Sequence, residues 1–343
     1  MSPTLRAYLE LARLSNAPTV VSNALLGSAL GGLASGATLA DAGWAAIAAP
    51  AAACTMLYVS GMALNDLADR AIDARERPKR PIPSGRATPR GAAAFASVLV
   101  VAALGLLSLT TVPSLVAGIV LLVLIVLYDL THARTAATVA LMGACRGMVY
   151  VVAALAIAPL AAPTIVIGPA LCLAVYVAAF SITARREASV PPDEPAHACG
   201  RCGHLLAGPS SKCPECGSGA AIERGPRPGR FLRASMLLPL PLAAALLFLP
   251  RELFEVTSRR ATEIATVVGG LVAGFLLLAC LYTASKLLAR RPPPIGRAVT
   301  LWIASIALFD STLLFLLRSV PLAIVALACF ALTRWAQRRI AGT

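Results

Sequence analysis

Apolar runs long enough to cross a lipid bilayer recur along nearly the whole of this 343-residue chain. A hydrocarbon core about 30 Å thick takes about 20 helical residues. Backbone amides in lipid must find their partners inside the segment, so uninterrupted runs of this length read as helices. Runs of this kind lie near 17–37, 44–65, 91–110, 112–130, 138–159, 164–182, 234–250, 262–288, 298–317 and 320–335, the last being short and beginning at Pro321. The sequence therefore predicts an all-α polytopic membrane protein, a bundle of nine to ten transmembrane helices. At 58% hydrophobic and 13% charged, the chain departs from a soluble domain, where about 25% of residues are charged.

The basic residues set the expected orientation. With the N-terminus inside, Arg6, Arg13, the loops 65–90, 131–137, 183–233 and 286–297 and the tail after 333 are cytoplasmic. They hold 25 of the 30 Lys and Arg residues, as the positive-inside rule requires. The turns 38–43, 111–113 and 160–163 hold none, while 251–260 holds three. A net charge of +14 is thus a topology signal. No basic stripe stands apart from the membrane loops, which argues against nucleic acid as a partner. The first apolar stretch is long, has Asn16 and Asn23 in or beside it, and does not read as a cleaved signal peptide. The expected location is the cytoplasmic (inner) membrane.

Chemistry concentrates where the second run ends, in Asn65-Asp66-Leu-Ala-Asp69-Arg-Ala-Ile-Asp73. At 100° per residue the three aspartates fall within about 60° of one helical face. Like charges so placed repel unless a cation sits among them, and Mg²⁺ commonly joins carboxylates to substrate phosphates. Asn65 adds a neutral oxygen. Arg77, Lys79 and Arg80 follow in Arg-Pro-Lys-Arg-Pro-Ile-Pro-Ser-Gly, suited to phosphate oxygens. A solvated polar helix end is the bland reading, and the combined spacing of the two stretches argues against it.

These residues resemble the first aspartate-rich motif of the UbiA superfamily of intramembrane prenyltransferases, and the position after the second span matches too. The resemblance implies a UbiA-like bundle that moves a prenyl group from an isoprenoid diphosphate to an aromatic or other lipophilic acceptor. It implies Mg²⁺ held by Asp66, Asp69 and Asp73 with Asn65, and Arg77, Lys79 and Arg80 closing over the diphosphate. The resemblance implies a further phosphate contact in Arg13, in the family-like first-helix stretch Arg13-Leu-Ser-Asn16-Ala-Pro18, while Tyr128, beside Asp129 and His132 at the end of the fourth run, either faces the diphosphate or is a structural polar residue at a helix end. The Cys145-Arg146 pair and the Thr183-Ala-Arg185-Arg186-Glu187 ending resemble the EboC-like branch of that superfamily.

The family's second aspartate motif is missing. The corresponding stretch ends in Arg185-Arg186-Glu187, with Asp193 and Glu194 further on. Arg185 and Arg186 either neutralise diphosphate oxygens in place of a second metal or anchor the cytoplasmic end of a span. Arg146, about two turns into the fifth run, faces a polar cavity or a partner, or else snorkels to the interface. It is expected to touch the diphosphate. Asp310 is equally deep, suited to an arginine or an acceptor hydroxyl.

Residues 187–230 break the membrane pattern. Cys199-Gly-Arg-Cys202-Gly and Cys213-Pro-Glu-Cys216-Gly stand ten residues apart, the spacing of a closed tetrahedral Cys₄ site for Zn²⁺. The insert resembles a rubredoxin-type zinc ribbon, a structural clip with His197 and His204 as bystanders. The other five cysteines lie singly in apolar runs and behave as small hydrophobes. The expected organisation is a membrane domain of 1–186, a cytoplasmic zinc-ribbon insert of 187–230, and a second membrane part of 231–343. The ribbon would cap the cytoplasmic mouth or bind a protein partner. A rival reading keeps the lipid-facing bundle and drops the catalysis, making the chain a lipid-binding, transport or assembly protein whose ribbon recruits a partner.

Overall fold

A computed structural model describes residues 3–36, 39–131, 138–160, 163–187, 197–199, 205–206, 216, 221–223, 237–250, 261–288 and 294–339. The helices are α1 (Pro3–Leu11), α2 (Pro18–Ser35), α3 (Leu39–Ala68), α4 (Arg70–Glu76), α5 (Pro89–Ser108), α6 (Val112–Thr131), α7 (Thr138–Ile157), α8 (Pro163–Glu187), α9 (Pro239–Ala244), α10 (Ala261–Leu288), α11 (Ile295–Leu316) and α12 (Val320–Arg339). Local signals set several boundaries. Pro18 and Pro89 open α2 and α5, where proline's missing N–H costs nothing. Thr88 caps α5 by accepting from Gly91 N at 3.0 Å, and Gly36 ends α2 at φ 68°, a left-handed value that glycine tolerates.

Among the described residues nine helices are long and apolar enough to span a bilayer, and the chain is an integral membrane protein. Side chains on α5, α6 and α10 such as Val101, Val112 and Phe275 are over 70% exposed, a surface suited to lipid. The centre belongs to α2, α7, α8 and α11. There the backbones meet: a Cβ on Gly27 would stand 2.5 Å from Tyr150 O, and one on Gly31 2.5 Å from Ala154 O. Across the other face of α7, Gly147 meets Ala170 in the same way and Gly143 meets Ala174. Small residues allow this approach where lipid offers no hydrophobic drive to pack helices.

These contacts also orient the helices. Pairing 27 with 150 and 31 with 154 makes α2 and α7 parallel, while 143 with 174 and 147 with 170 makes α8 antiparallel. Gln337 Nε2 donates to Asn16 Oδ1 at 3.0 Å and to Thr300 O at 3.1 Å. The C-terminal end of α12, the start of α11 and the start of α2 therefore share one face, together with Asp66, which Arg13 reaches. Glu187 ends α8 on that face. Gly269 and Gly274 of α10 lie by Phe315 and Thr312 of α11, so α10 begins on the opposite face. Between 187 and 261 the chain crosses once more.

The sequence places that crossing at 234–250 and expects a spanning helix. The described part is instead the six-residue α9 followed by one 3₁₀ turn, Ala245–Phe248. Ten helical residues cover about 15 Å, half the hydrocarbon core. Pro239 starts the helix and Pro250 follows its end, because proline cannot donate within a helix interior. Leu242, Ala245 and Leu249 are buried in the main core, with Phe248 against Gly168 near the start of α8. The expected last span, 320–335, is a full helix, α12.

Within the expected ribbon three short strands pair antiparallel in the order β2-β1-β3: β1 His197–Cys199, β2 Leu205–Leu206 and β3 Ala221–Glu223. His197 faces Leu206 on one side and Glu223 on the other. Cys202, Cys213 and His204 lie outside the described residues, and no group of metal ligands converges among the described ones. Asp193, Glu194 and His132 are likewise outside them.

Gly31→Leu should lower the thermal unfolding midpoint, with overpacking of about 1–3 kcal/mol. Gly105→Ala, on an open face of α5 with no atom near its Cβ, should leave the midpoint unchanged or raise it. Melting both variants in one detergent checks the contrast.

Candidate active site

The polar end of α3 is built around a joint at Asp69. Helix α3 stops at Ala68, Asp69 takes φ −83° and ψ −1°, and α4 continues from Arg70. Asp69 N still bonds Asn65 O at 2.9 Å, and Asp73 N bonds Asp69 O at 2.8 Å, so the turn shifts direction without leaving amides bare. Asp66 and Asp73 thereby come to face one guanidinium. Arg80 Nη1 lies 3.3 Å from Asp66 Oδ1 and 2.7 Å from Asp73 Oδ2. With side chains 7%, 4% and 13% exposed respectively, these charges are nearly desolvated, where an unpaired carboxylate would be costly.

The loop that delivers Arg80 is pinned to α1. Ser84 N bonds Arg80 O at 3.0 Å and Ala87 N bonds Pro81 O at 3.0 Å. Arg86 donates to Lys79 O at 2.8 Å and pairs with Glu10 at 2.7 Å. Ile82, Ala87 and Ala92 pack with Ala7 and Leu11. Arg77 and Lys79, expected over the same site, are exposed instead, because the tight turn at 77–80 points only Arg80 inward.

Arg13 completes the cluster from the other side. It sits at φ 41° and ψ 46° between α1 and the 3₁₀ turn Leu14–Asn16, an arrangement costing a non-glycine residue about 1 kcal/mol or more. Its Nη2 reaches Asp66 Oδ1 at 3.3 Å, and its carbonyl accepts from Tyr58 OH at 3.4 Å. Two carboxylates and two guanidiniums thus balance. Asn65 Nδ2 donates to Asp129 Oδ1 at 3.4 Å, tying α3 to α6. Asp69 is half-buried and does not join Asp66 and Asp73 in a group of three metal ligands. Two carboxylates completed by substrate phosphates suit Mg²⁺ well, so the donor set fits that ion through Asp66 and Asp73.

Behind the cluster opens a cavity of about 190 Å³. Arg13, Asn16, Tyr58, Tyr128, Asp129 and Arg146 give it polar points, and Val20, Leu121, Ile125, Val149, Phe180 and Ile306 line much of the rest. Arg146 Nη1 donates to Asn23 Oδ1 at 3.1 Å, and its guanidinium lies 5.3 Å from the Tyr58 ring centre. Among the described residues Asp310 pairs with no arginine, and it does not line the cavity. Its Oδ2 accepts from Ser22 at 2.6 Å and Asn23 at 2.8 Å, and its Oδ1 from Tyr150 at 2.5 Å. Asn23 therefore stands between Asp310 and Arg146. Sequence reasoning missed Asn23 and Tyr58 as partners; the deep Arg146 was the only signal for them, since some group had to face it. Arg185 and Arg186 sit in the last turn of α8, on the face that carries Asp66, and their side chains lie outside the described residues.

Fold and site together describe an intramembrane helical protein with a charged mouth over an apolar chamber. The UbiA prenyltransferase family matches residues 25–188. A digeranylgeranylglyceryl phosphate synthase of Methanopyrus kandleri is 48% identical over 92 residues, 27% of this chain and 31% of that protein. The enzyme of the same name from Ignicoccus hospitalis is 45% identical over 85 residues, 25% of each chain. The chain thus matches a third or less of the length of these two curated relatives. Among solved structures, a UbiA homologue from Aeropyrum pernix K1 in its apo form superposes with a TM-score of 0.56 at 18% identity, over 86% of this chain and 96% of that one. A structure of digeranylgeranylglyceryl phosphate synthase in membranes gives 0.53 at 16% identity, over 93% and 100%. The likeness is one of fold: this chain has the fold of those UbiA proteins.

Arg80→Met should leave Asp66 and Asp73 facing each other without their shared cation and lower stability by about 1–3 kcal/mol. Millimolar Mg²⁺ should restore part of that loss and do less for the wild type. Thermal unfolding with and without Mg²⁺ reads both effects.

Proposed function

We propose that this chain is a Mg²⁺-dependent intramembrane prenyltransferase, moving a prenyl group from an isoprenoid diphosphate to a lipophilic acceptor. The observation that carries the reading is the balanced cluster of Asp66, Asp73, Arg80 and Arg13, the last of which also lines a cavity whose wall is mostly apolar. Asp66 and Asp73 are the residues that would hold the ion, with Asp69 and Asn65 at the joint beside them. When bound, Mg²⁺ supplies positive charge to the leaving diphosphate. Arg80, released from its two carboxylates, and Arg13 donate to phosphate oxygens as charge grows there. Tyr128, which lines the cavity, extends that grip. The C1–O bond then breaks with its electron pair on the diphosphate. Leu121, Ile125, Val149 and Phe180 exclude water from the allylic cation until the acceptor's nucleophilic atom bonds to C1 and its proton passes to the released diphosphate.

The matched relatives are named for making digeranylgeranylglyceryl phosphate, which favours an isoprenoid lipid over a soluble aromatic as acceptor. Arg185 and Arg186 supply charge where the family's second aspartate motif is missing or else anchor the end of α8, and the Cys145-Arg146 pair and the Thr183-to-Glu187 ending support a likeness to the EboC-like branch. The missing motif also favours the rival, a non-catalytic lipid-binding or assembly protein. Basic loops put the aspartate face, both ends of the described chain and the insert in the cytoplasm of the inner membrane. The insert 187–230, between membrane parts 1–186 and 231–343, is a zinc ribbon held by Cys199, Cys202, Cys213 and Cys216, positioned to cap the mouth or bind a protein.

Asp66→Asn should abolish Mg²⁺-dependent binding of geranylgeranyl diphosphate and cut turnover by about 100-fold or more, with the fold retained. Wild-type protein that binds the diphosphate with Mg²⁺ yet never turns over any acceptor would favour the non-catalytic rival.

Purified protein should carry one zinc per chain, and Cys216→Ser should release it without moving the melting of the membrane helices. Metal analysis and thermal unfolding on the same sample give the answer.

A further inference from the structure

Arg334 is a cation inside the last span, Val320–Arg339. An ionisable side chain in such a segment needs a polar partner. Among the described residues every ion pair belongs to Glu10, Asp66 or Asp73, so no carboxylate there pairs with Arg334. Its Nη1 donates instead to Gln337 Oε1 at 2.9 Å. Gln337 is fixed in turn, because its Nε2 donates to Asn16 Oδ1 at 3.0 Å and to Thr300 O at 3.1 Å. With both ends of its amide engaged, Gln337 holds the guanidinium still by one of five N–H donors. Arg334 is half-buried and stands within electrostatic reach of Cys280 on α10. It therefore lies at the edge of α12 that faces α10, at the end of the bundle that carries Asp66.

Helical spacing puts Arg338 about 40° round from Arg334 and Trp335 about 60° beyond it. Arg338 and Trp335 are exposed, and an exposed tryptophan at a span end suits the level of lipid headgroups. No acidic side chain offsets the two arginines. From 264 to 343 the chain holds one, Asp310, and its oxygens are committed to Ser22, Asn23 and Tyr150. Toward the bilayer interior the same strip of α12 is apolar: Ile324, Ala328 and Ala331 are exposed and Leu327 is half-buried. A held guanidinium, a second arginine one turn on and an apolar strip beneath them match a headgroup phosphate above an acyl chain. A soluble anion would use the arginines and leave the strip uncovered. A zwitterionic headgroup would bring no net charge to offset them. We propose that this edge of α12 binds an anionic membrane phospholipid, with Arg334 and Arg338 on its phosphate oxygens and an acyl chain along Ile324, Leu327, Ala328 and Ala331. The proposal is independent of the prenyl-transfer reading and requires only that the chain spans a membrane.

The test places the full chain in phosphatidylcholine bilayers containing phosphatidylglycerol brominated on its acyl chains, with brominated phosphatidylcholine as the control. Trp335 is the reporter. Trp302 is fully buried, and the exposed Trp44 is replaced by Phe throughout. Brominated phosphatidylglycerol should quench Trp335 at about tenfold lower mole fraction than the control lipid. Arg334→Met combined with Arg338→Met should bring the two lipids to equal quenching. Gln337→Leu keeps both charges and frees the guanidinium, so it should weaken the preference several-fold. General attraction of basic side chains to an anionic surface predicts no change in Gln337→Leu, and that result overturns the proposal. Equal quenching by both lipids before any arginine is changed overturns it, as does a preference that survives the double substitution. Reversal by millimolar inorganic phosphate would reveal a soluble-anion site and overturn it too. Native mass spectrometry of the unsubstituted chain decides the matter if the variants do not fold. One phosphatidylglycerol and no phosphatidylcholine should stay bound per chain, and a bare chain from both bilayers refutes the site.

Discussion

Helix α7 is clasped by backbone on two sides, and the cavity's geometry follows from that clasp. Gly27 and Gly31 of α2 meet it at Tyr150 and Ala154, and its own Gly143 and Gly147 meet α8. Approach this close fixes the register of three helices, because a slip by one residue would drive a side chain into a neighbouring carbonyl. Arg146 lies between the two glycines of α7 and projects toward α2 and α3, meeting Asn23 and Tyr58. Tyr150, one turn further, reaches Asp310 on α11. In lipid these polar side chains contribute about as much as they do in water. Their specificity comes from the backbone contacts that aim them.

Electrostatics then sets what the mouth can accept. Asp66, Asp73, Arg13 and Arg80 sum to zero, so the cluster is stable without importing charge. Under the prenyl-transfer reading proposed above, Asp66 and Asp73 would hold the metal and Arg80 would turn to a phosphate oxygen, so that each charge would keep a partner and avoid the several kcal/mol that a bare buried ion costs. A metal alone would have to displace Arg80 from Asp73, where the two lie 2.7 Å apart.

Much of this was legible in the sequence, because membrane spans and charged motifs write strong local signals. Nine expected spans are helices at nearly the expected limits, and the Asp66–Asp73 stretch straddles the end of one of them, Ala42–Ala68. What the sequence could not give was which of several similar residues turns inward. Arg77, Lys79 and Arg80 read alike, yet the 77–87 turn, closed by Gly85 at φ 74° and pinned through Arg86 to Glu10, selects Arg80. Helical spacing put the three aspartates on one face, but Asp69, at the joint between α3 and α4, is half-buried and does not converge with the other two as a third metal ligand. Asp310 read as a partner for an arginine or for an acceptor hydroxyl, and the fold gives it Ser22, Asn23 and Tyr150 instead. That outcome depends on contacts between residues more than 280 positions apart, as for Ser22 and Asp310, and no local pattern encodes it.

The short crossing at α9 shows the same limit and carries the last structural consequence. Hydropathy alone reads 234–250 as a span, while two prolines at its start and one at its end allow only half of one. A bilayer tolerates interrupted helix only where protein or a water-filled cavity covers the exposed amides. Leu242, Ala245 and Leu249 bury one side of α9 in the main core, and Phe248 fills the gap left by Gly168 on α8. Phe248 meets α8 near its start, so the C-terminal end of α9 lies toward the face opposite Asp66, and the burial of Leu242, Ala245 and Leu249 supplies the protein cover that so short an apolar helix needs.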